Sequence, residues 1–535
     1  MSNIRSFVGQ LLFVATAGGW FVAAPPTEWR LRYADLAVAI HLDRSIVGDV
    51  RLALDRSGSA PLVLDFADSM VVDSILAGVR RVGFERTPAT IRIADSTLAP
   101  TCRALARATT RCEVRVWYHG VPSRSAFGIV DRGGKLRAAS YGVPKSAREW
   151  WPTLDTPSQK MDSAEVRIVV PRGIIAASNG VLQAHKTLAD GTDEFHWAER
   201  RPIYADVISV AAADYVERQG SFKSTSGRTV PLSFFVFPED TLKAAADFAV
   251  VPNVLAFLER QLGAYPFGGE KYGIAEMMRP SFREHQTLPS LGASLITGDG
   301  SVAQVIAHEA AHQWFGNSLT VSDWRDIWLN ESFAEYMAWR WVRSARGDSA
   351  FGSLSRGAAD HDFAVPLARA DSGGFGTMFG ALTFHKGPVV LVMLEDLIGT
   401  RAMDDALRSY VTRNAYGRAS LSDFRESAER ASGRELGWFF DQWTIRSRVP
   451  EISIEWSYEK TKSGGRIRAT IAQSDSLSPF RVPLRMRVVS PTGNARLWSV
   501  ELREPRQEFT LHVDEKPTDV KLVTDRTLIR AKAAP

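Results

Sequence analysis

Cysteine is almost missing from this chain: two residues, Cys102 and Cys112, among 535. So small a number excludes a disulfide-dense scaffold. The two thiols leave two readings open, a single disulfide in an oxidising compartment or a pair of partly buried free thiols, and neither has metal-ligand spacing to the histidines described below. Charge of one sign is also missing. Sixty-five basic and 60 acidic residues leave a formal net charge of +5. No basic run is dense enough to follow a phosphate backbone, so nucleic acid is not an expected partner. Internal repeats and low-complexity segments are absent as well. Past residue 24 there is no apolar run long enough to cross a bilayer.

What is present is the composition of a folded protein, 45 % hydrophobic and 23 % charged. The length predicts two to four domains. Residues 1–24 carry one charge, Arg5, then an apolar stretch from Phe7 ending at Val22-Ala23-Ala24 before Pro25-Pro26. This is the pattern of a cleaved export signal, giving a periplasmic or secreted protein. An uncleaved membrane anchor is the alternative, and membrane contact is expected only in that case; Gln10, Gly9, Gly18 and Gly19 weaken it.

From Trp29 to Asp214 the pattern is strand-like. Leu31, Tyr33, Leu36, Val38 and Ile40 recur at short spacing, and Glu113-Val114-Arg115-Val116-Trp117 alternates with period two. From about Asp240 the period becomes helical, as in Leu242, Phe248, Val251 and Leu255–Leu258. Helical patterns recur over 301–315, 331–346, 386–398, 402–412, 421–432 and 435–445. Gln219–Arg228 reads as a loop near the first boundary. After Pro450 alternation returns, and a small β-sandwich fits the tail. The expected division is 25–215, an N-terminal β domain; 216–447, a mainly helical catalytic domain; and 448–535, the sandwich. The fold class is therefore multidomain α+β.

Residues 308–312 read His-Glu-Ala-Ala-His, a pattern expected by chance roughly 0.01 times in a chain with this little histidine. Val302, Val305, Ile306 and Ala310 predict a buried helix. On it His308 and His312 sit one turn apart on the same face, where two imidazoles can share one zinc ion. A catalytic zinc needs a third protein ligand and an open position. Glu331 is the candidate, in a segment that looks like a helix start with Asn330 as its cap. Two histidines and a glutamate form the thermolysin-type donor set. Glu309 is then the general base that activates the attacking water and passes its proton to the leaving amine. Asp326 and Glu335 are near enough in sequence to Glu331 to be candidates for receiving a ring proton from a metal-binding histidine, the alternative being two solvent-facing charges.

His308-Glu309-Ala310-Ala311-His312-Gln313-Trp314-Phe315-Gly316-Asn317, followed by Trp328-Leu329-Asn330-Glu331, resembles the M1 family of zinc aminopeptidases. Ala147–Pro157, Ser178-Asn179-Gly180, Ala264-Tyr265-Pro266-Phe267 and Phe439–Trp443 support the likeness. The resemblance implies a saddle-shaped N-terminal domain, a thermolysin-like catalytic domain, a β-sandwich, one zinc per chain and peptide substrates. It also implies a short form without the C-terminal helical superhelix. In the family a glutamate within Gly-Xaa-Met-Glu-Asn binds the substrate's free α-amine; the matching stretch is Ser281–Thr287, and Glu284 keeps the carboxylate. A tyrosine that donates to the oxyanion is matched by Phe384 in Thr383-Phe384-His385-Lys386-Gly387. Near Tyr141–Pro144 the family's glutamine is missing. The parts that hold metal and activate water are intact, while the parts that orient substrate are altered. Two functions follow: an aminopeptidase, or a zinc-retaining relative that binds peptide with weak turnover or none.

Overall fold

The computed structural model describes residues 28–532 apart from 106–108, 143, 362, 364, 369–378, 463 and 475–477. The leader expected over residues 1–24 lies outside the described residues. Alternation in the first 190 described residues produces β-structure. A nine-stranded sheet runs, in spatial order, Val181–Thr187, Asp193–Glu199, Ser163–Val170, Trp29–Ile40, Ile46–Arg56, Thr110–Gly120, Met70–Ala77 and Arg80–Arg81, with Arg103–Ala104 off this path. Leu36 pairs with Val50 in one direction and Val166 in the other, so one apolar face is continuous across the sheet. Cys102 and Cys112 form a disulfide that pins a turn to the strand Thr110–Gly120. A four-stranded sheet of Phe127–Asp131, Leu136–Ser140, Val210–Ala213 and Ile175–Ser178 lies toward the site.

The middle of the chain is not purely helical. Val216–Lys223, Thr229–Val236, Tyr272–Met277, Ser290–Gly292 and Phe282–Arg283 form a five-stranded sheet in that order. This corrects the loop expected over Gln219–Arg228. Its first half is strand, and only Ser224–Arg228 turns, closed by the Ser224 amide on the Arg228 carbonyl. The helices follow: Thr241–Phe248, Val251–Leu262, Ala303–Ala311, Trp328–Arg346, Asp348–Ala359, Gly387–Ile398, Thr400–Arg413 and Leu421–Ser432. The helix expected over 435–445 is a short α-turn, Gly437–Phe440, continued by a π-turn, Asp441–Ile445.

The C-terminal part is two sheets. Arg506–Val513, Gly464–Gln473, Glu451–Thr461 and Arg530–Lys532 make one, and Ala495–Leu502, Val482–Val489 and Asp519–Val523 the other. Their buried residues, among them Ile467, Ile471, Leu484 and Met486, belong to one apolar cluster with the helices. The N-terminal sheets have a separate cluster, joined by Phe235, Phe237, Ala275, Leu288, Trp324 and Ile327. The site described next lies where the two cores meet.

Candidate metal centre and active site

The helix Ala303–Ala311 buries Ile306, Ala307 and Ala310 on the core side, and this fixes its rotation. His308 and His312, one turn apart, then point the same way. Their Nε2 atoms lie 3.0 Å apart. After His312 the chain reverses through Gly316, whose φ of 114° lies in the left-handed region. A Cβ there would stand 3.3 Å from His312 Nδ1 and 3.5 Å from Asn330 Nδ2, so a side chain would press on both the ligand and the facing helix. The reversal brings the Phe315 carbonyl to 3.0 Å from His312 Nδ1. A carbonyl only accepts, so the ring proton sits on Nδ1 and Nε2 keeps its lone pair. His308 Nδ1 lies 2.8 Å from Glu335 Oε2, an ion-pair contact that is not aligned as a hydrogen bond.

Glu331 comes from the helix Trp328–Arg346, entered through a 3-10 turn, Trp324–Asp326, in which Asp323 accepts from the Arg325 amide at 2.9 Å. The expected cap, Asn330, is instead inside the helix and buried beside Gly316. Glu331 Oε2 lies 3.7 Å from His308 Nε2 and 3.5 Å from His312 Nε2. Ligands bound to zinc at 2.0–2.1 Å in a tetrahedron lie about 3.3 Å from one another. The triangle of 3.0, 3.5 and 3.7 Å therefore has the size of a zinc site. Glu331 Oε1 is buried without a hydrogen-bond partner among the described residues, a cost that a cation removes. These three residues are also the one group among the described residues whose donor atoms converge in this way.

Without a cation the three groups neutralise one another. Burial pushes the Glu331 carboxyl up, but the His312 and His308 imidazoles outweigh it and hold the group down at about 2. Burial works against charge on His308, yet Glu331 and Glu335 raise its pKa well above the usual imidazole value. A bound metal displaces those protons, so affinity weakens as pH is lowered.

The other expected residues are also here. Glu309, next to His308, is buried, and its Oε2 has no hydrogen-bond partner among the described residues. Burial holds its pKa up at about 7, against the pull of His308 and His312. Glu284 follows the strand Phe282–Arg283 and is 8 % exposed, with Oε1 unpartnered among the described residues. Burial and then Glu331 raise its pKa, while His312 opposes them. Arg283 does not neutralise it by an ion pair; that guanidinium is turned to the Tyr141 carbonyl, Ser281 Oγ and the Phe282 carbonyl. Asn317 Nδ2 donates to the Glu284 carbonyl at 2.8 Å and Gln313 Oε1 accepts from the Thr287 amide at 2.9 Å, which ties this strand to the metal turn. Phe384 packs against the metal site, its ring 5.9 Å from that of His308. It lies on a π-turn, Leu382–Lys386. His385 is stacked on His361, with ring centroids 3.9 Å apart.

Glu335 is the carboxylate found at a ligand ring; it also accepts from Trp339 Nε1 at 2.5 Å and Gln304 Nε2 at 3.1 Å. Tyr204 was not legible in the sequence. Its buried hydroxyl has no hydrogen-bond partner among the described residues and feels the charges of Glu284 and Glu331. Only the tertiary fold brings this strand residue under the site.

Residues 281–443, which hold every one of these donors, match the peptidase family M1 domain. Glutamyl aminopeptidase of Rattus norvegicus is 26 % identical over 421 residues, covering 72 % of this chain and 42 % of that protein. The probable aminopeptidase 1 of Saccharolobus solfataricus is 23 % identical over 443 residues, covering 78 % of this chain and 54 % of that protein. The chain thus spans about half the length of these relatives, or less. A crystal structure of Legionella pneumophila aminopeptidase A in complex with aspartic acid aligns with a TM-score of 0.81 at 19 % identity, covering 95 % of this chain and 60 % of that one. The likeness is one of fold: the matched segment, residues 281–443, sits between the β-rich N-terminal and C-terminal parts described above.

Proposed function

We propose that this protein is a zinc-dependent aminopeptidase that removes N-terminal residues from peptides. The observation that carries the reading is a pairing: three convergent metal donors, and a buried carboxylate, Glu284, that feels the charges of Glu331 and His312 and whose Oε1 has no hydrogen-bond partner among the described residues. A buried, unpaired carboxylate suits an ammonium group. With the peptide's α-amine held there, the first peptide bond is the one presented to the donors. His308, His312 and Glu331 would hold zinc, and the ion, when bound, supplies Lewis-acid chemistry at the scissile carbonyl. Glu309 takes the proton of the attacking water at its free Oε2 and returns it to the departing amine. The division into domains at 25–215, 216–447 and 448–535 is part of the same reading. So is export, which the Cys102–Cys112 disulfide supports.

Phe384 favours a second reading, a zinc-retaining peptide binder with weak turnover or none. An apolar ring faces the metal donors where a hydroxyl could have stabilised the developing oxyanion. The experiment that separates the two is metal analysis with a screen of peptides carrying free or blocked N-termini, run on the parent and on Glu309→Gln. For the aminopeptidase, the parent cleaves only free-amine peptides, and the variant keeps its zinc but loses turnover. A zinc-loaded parent that cleaves nothing favours the binder. A Glu309→Gln variant as active as the parent removes Glu309 from the chemistry.

A further inference from the structure

The strand that leads to Glu284 is flanked by two arginines, Arg279 and Arg283, and their surroundings are unusual for cations. Arg283 donates from Nε to the Tyr141 carbonyl and from Nη1 to Ser281 Oγ and the Phe282 carbonyl. Arg279 donates from Nη1 to the Ser125 carbonyl at 3.0 Å, and its guanidinium lies 5.1 Å from the centre of the Tyr141 ring. These acceptors are all neutral. Among the described residues neither side chain is in an ion pair, and Arg283 Nη2 has no hydrogen-bond partner. Arg283 is nonetheless largely taken out of water; burial lowers its pKa and Arg279 lowers it further. A half-buried guanidinium pair without a carboxylate is costly unless an anion comes to it.

The anions that Arg283 feels are Glu284, Glu309 and Glu331. Each already has another task in the proposed site: amine, proton and metal. Two fixed positive charges beside an amine pocket also repel the very ammonium that Glu284 is meant to hold. A substrate with a neutral or basic first residue meets that repulsion uncompensated, whereas one with its own carboxylate close to the amine cancels it. Tyr141, which both arginines touch, belongs to the N-terminal β-structure, so this subsite joins that part of the chain to the segment that carries Glu284.

We propose that Arg279 and Arg283 form an anion subsite next to Glu284, selecting substrates that carry a carboxylate within a few bonds of the free α-amine. This deepens the aminopeptidase reading and rests on it. Two sources supply that chemistry: the side chain of an N-terminal Asp or Glu, and the C-terminal carboxylate of a dipeptide. With Nε and Nη1 engaged, Nη2 of Arg283 is left to donate its N–H groups to a carboxylate oxygen, a charge-assisted hydrogen bond.

The test measures kcat/KM on isosteric pairs with zinc-loaded full-length protein. Glu-Ala-amide against Gln-Ala-amide reports the side-chain source, and Ala-Ala against Ala-Ala-amide the terminal one. A preference of about tenfold or more for the charged member of either pair is expected, since hydrogen bonds to charged groups are worth that much. It should shrink toward unity in Arg279→Gln and in Arg283→Gln. If Arg283→Gln does not fold, Arg279→Gln and Arg283→Lys still decide: the first weakens the preference, and so does the second, which keeps charge but loses the Nη2 donor. Binding of both amide peptides to zinc-loaded Glu309→Gln, followed by calorimetry, is read alongside. If the parent cleaves no free-amine peptide, the aminopeptidase reading fails, and tighter binding of the Glu peptide still upholds the subsite. If it cleaves free-amine peptides without favouring either charged member, the subsite is overturned and the aminopeptidase stands.

Discussion

Phe384 and Glu335 both neighbour His308 and make opposite demands on it. Phe384 sets a ring, tilted by 42°, 5.9 Å away and has nothing to donate. Losing one oxyanion donor typically costs about 10²–10³ in turnover. Phe384→Tyr is therefore expected to raise kcat by up to about that factor, with less effect on KM, because the new hydroxyl acts only on charge that develops during reaction. An unchanged kcat would mean that the native chemistry does not wait on this group. Glu335, 2.8 Å from His308 Nδ1, orients the ring and makes it a better donor. Glu335→Gln keeps an acceptor for Trp339 but removes the charge. Zinc affinity should fall about 10–100-fold in competition with a chelator, while the fold survives. At this scale the sequence was generous. His308, Glu309, His312 and Glu331 were legible because one helix turn fixes the first three and a second helix start offers the fourth. Tyr204 and the Arg279–Arg283 pair were not, since nothing local links residue 141 or 204 to residue 284.

The helices themselves were legible wherever an apolar stripe had room to repeat. Leu421–Ser432 is even announced by its capping box, Ser420 with Asp423. The strands of the five-stranded sheet were not, because Phe282–Arg283 and Ser290–Gly292 are too short to show a period. The π-turn Leu382–Lys386 was hidden for a different reason: one extra residue in a turn leaves the apolar pattern nearly unchanged. That turn ends at Gly387, where the helix Gly387–Ile398 passes closest to the helix bearing Glu331. A Cβ on Gly387 would lie 1.9 Å from Ser332 Oγ and 2.6 Å from Ser332 Cβ. Ser332 Oγ also donates to the Thr383 carbonyl at 2.7 Å. Gly387→Ala must force the two helices apart, at a cost of about 1–3 kcal/mol. The expected outcome is a lower melting temperature together with weaker zinc binding, because the displaced helix carries Glu331. Adding Ser332→Gly should restore part of both. A Gly387→Ala protein with unaltered melting and metal affinity would show that the contact yields freely.

Across the whole molecule, the separate N-terminal core has to be held against the helical part for Tyr141 and Tyr204 to reach the site at all. Lys160 is one of the bolts. It sits on the short strand Lys160–Met161, paired with Ile203–Tyr204, and its buried Nζ donates to the Asn317 carbonyl at 2.5 Å, the Ser318 carbonyl at 2.6 Å and Thr320 Oγ1 at 3.0 Å. Those acceptors belong to the reversal that follows the metal helix. Burial lowers this amine from the ordinary 10.5 to about 7. In the unfolded chain the same amine keeps its ordinary affinity, so between pH 7 and 10.5 the unfolded state binds more protons than the folded one. Stability contributed by this group must then rise with pH across that window and level off below it. Lys160→Met removes the titration. The gap in denaturation midpoint, parent minus variant, should widen steadily from pH 7 to pH 10 and stay flat from pH 5 to pH 6.5. A gap that does not move with pH would mean that the three acceptors hold the ammonium charged throughout. The bolt would then be an ionic one, and its loss would cost the same at every pH.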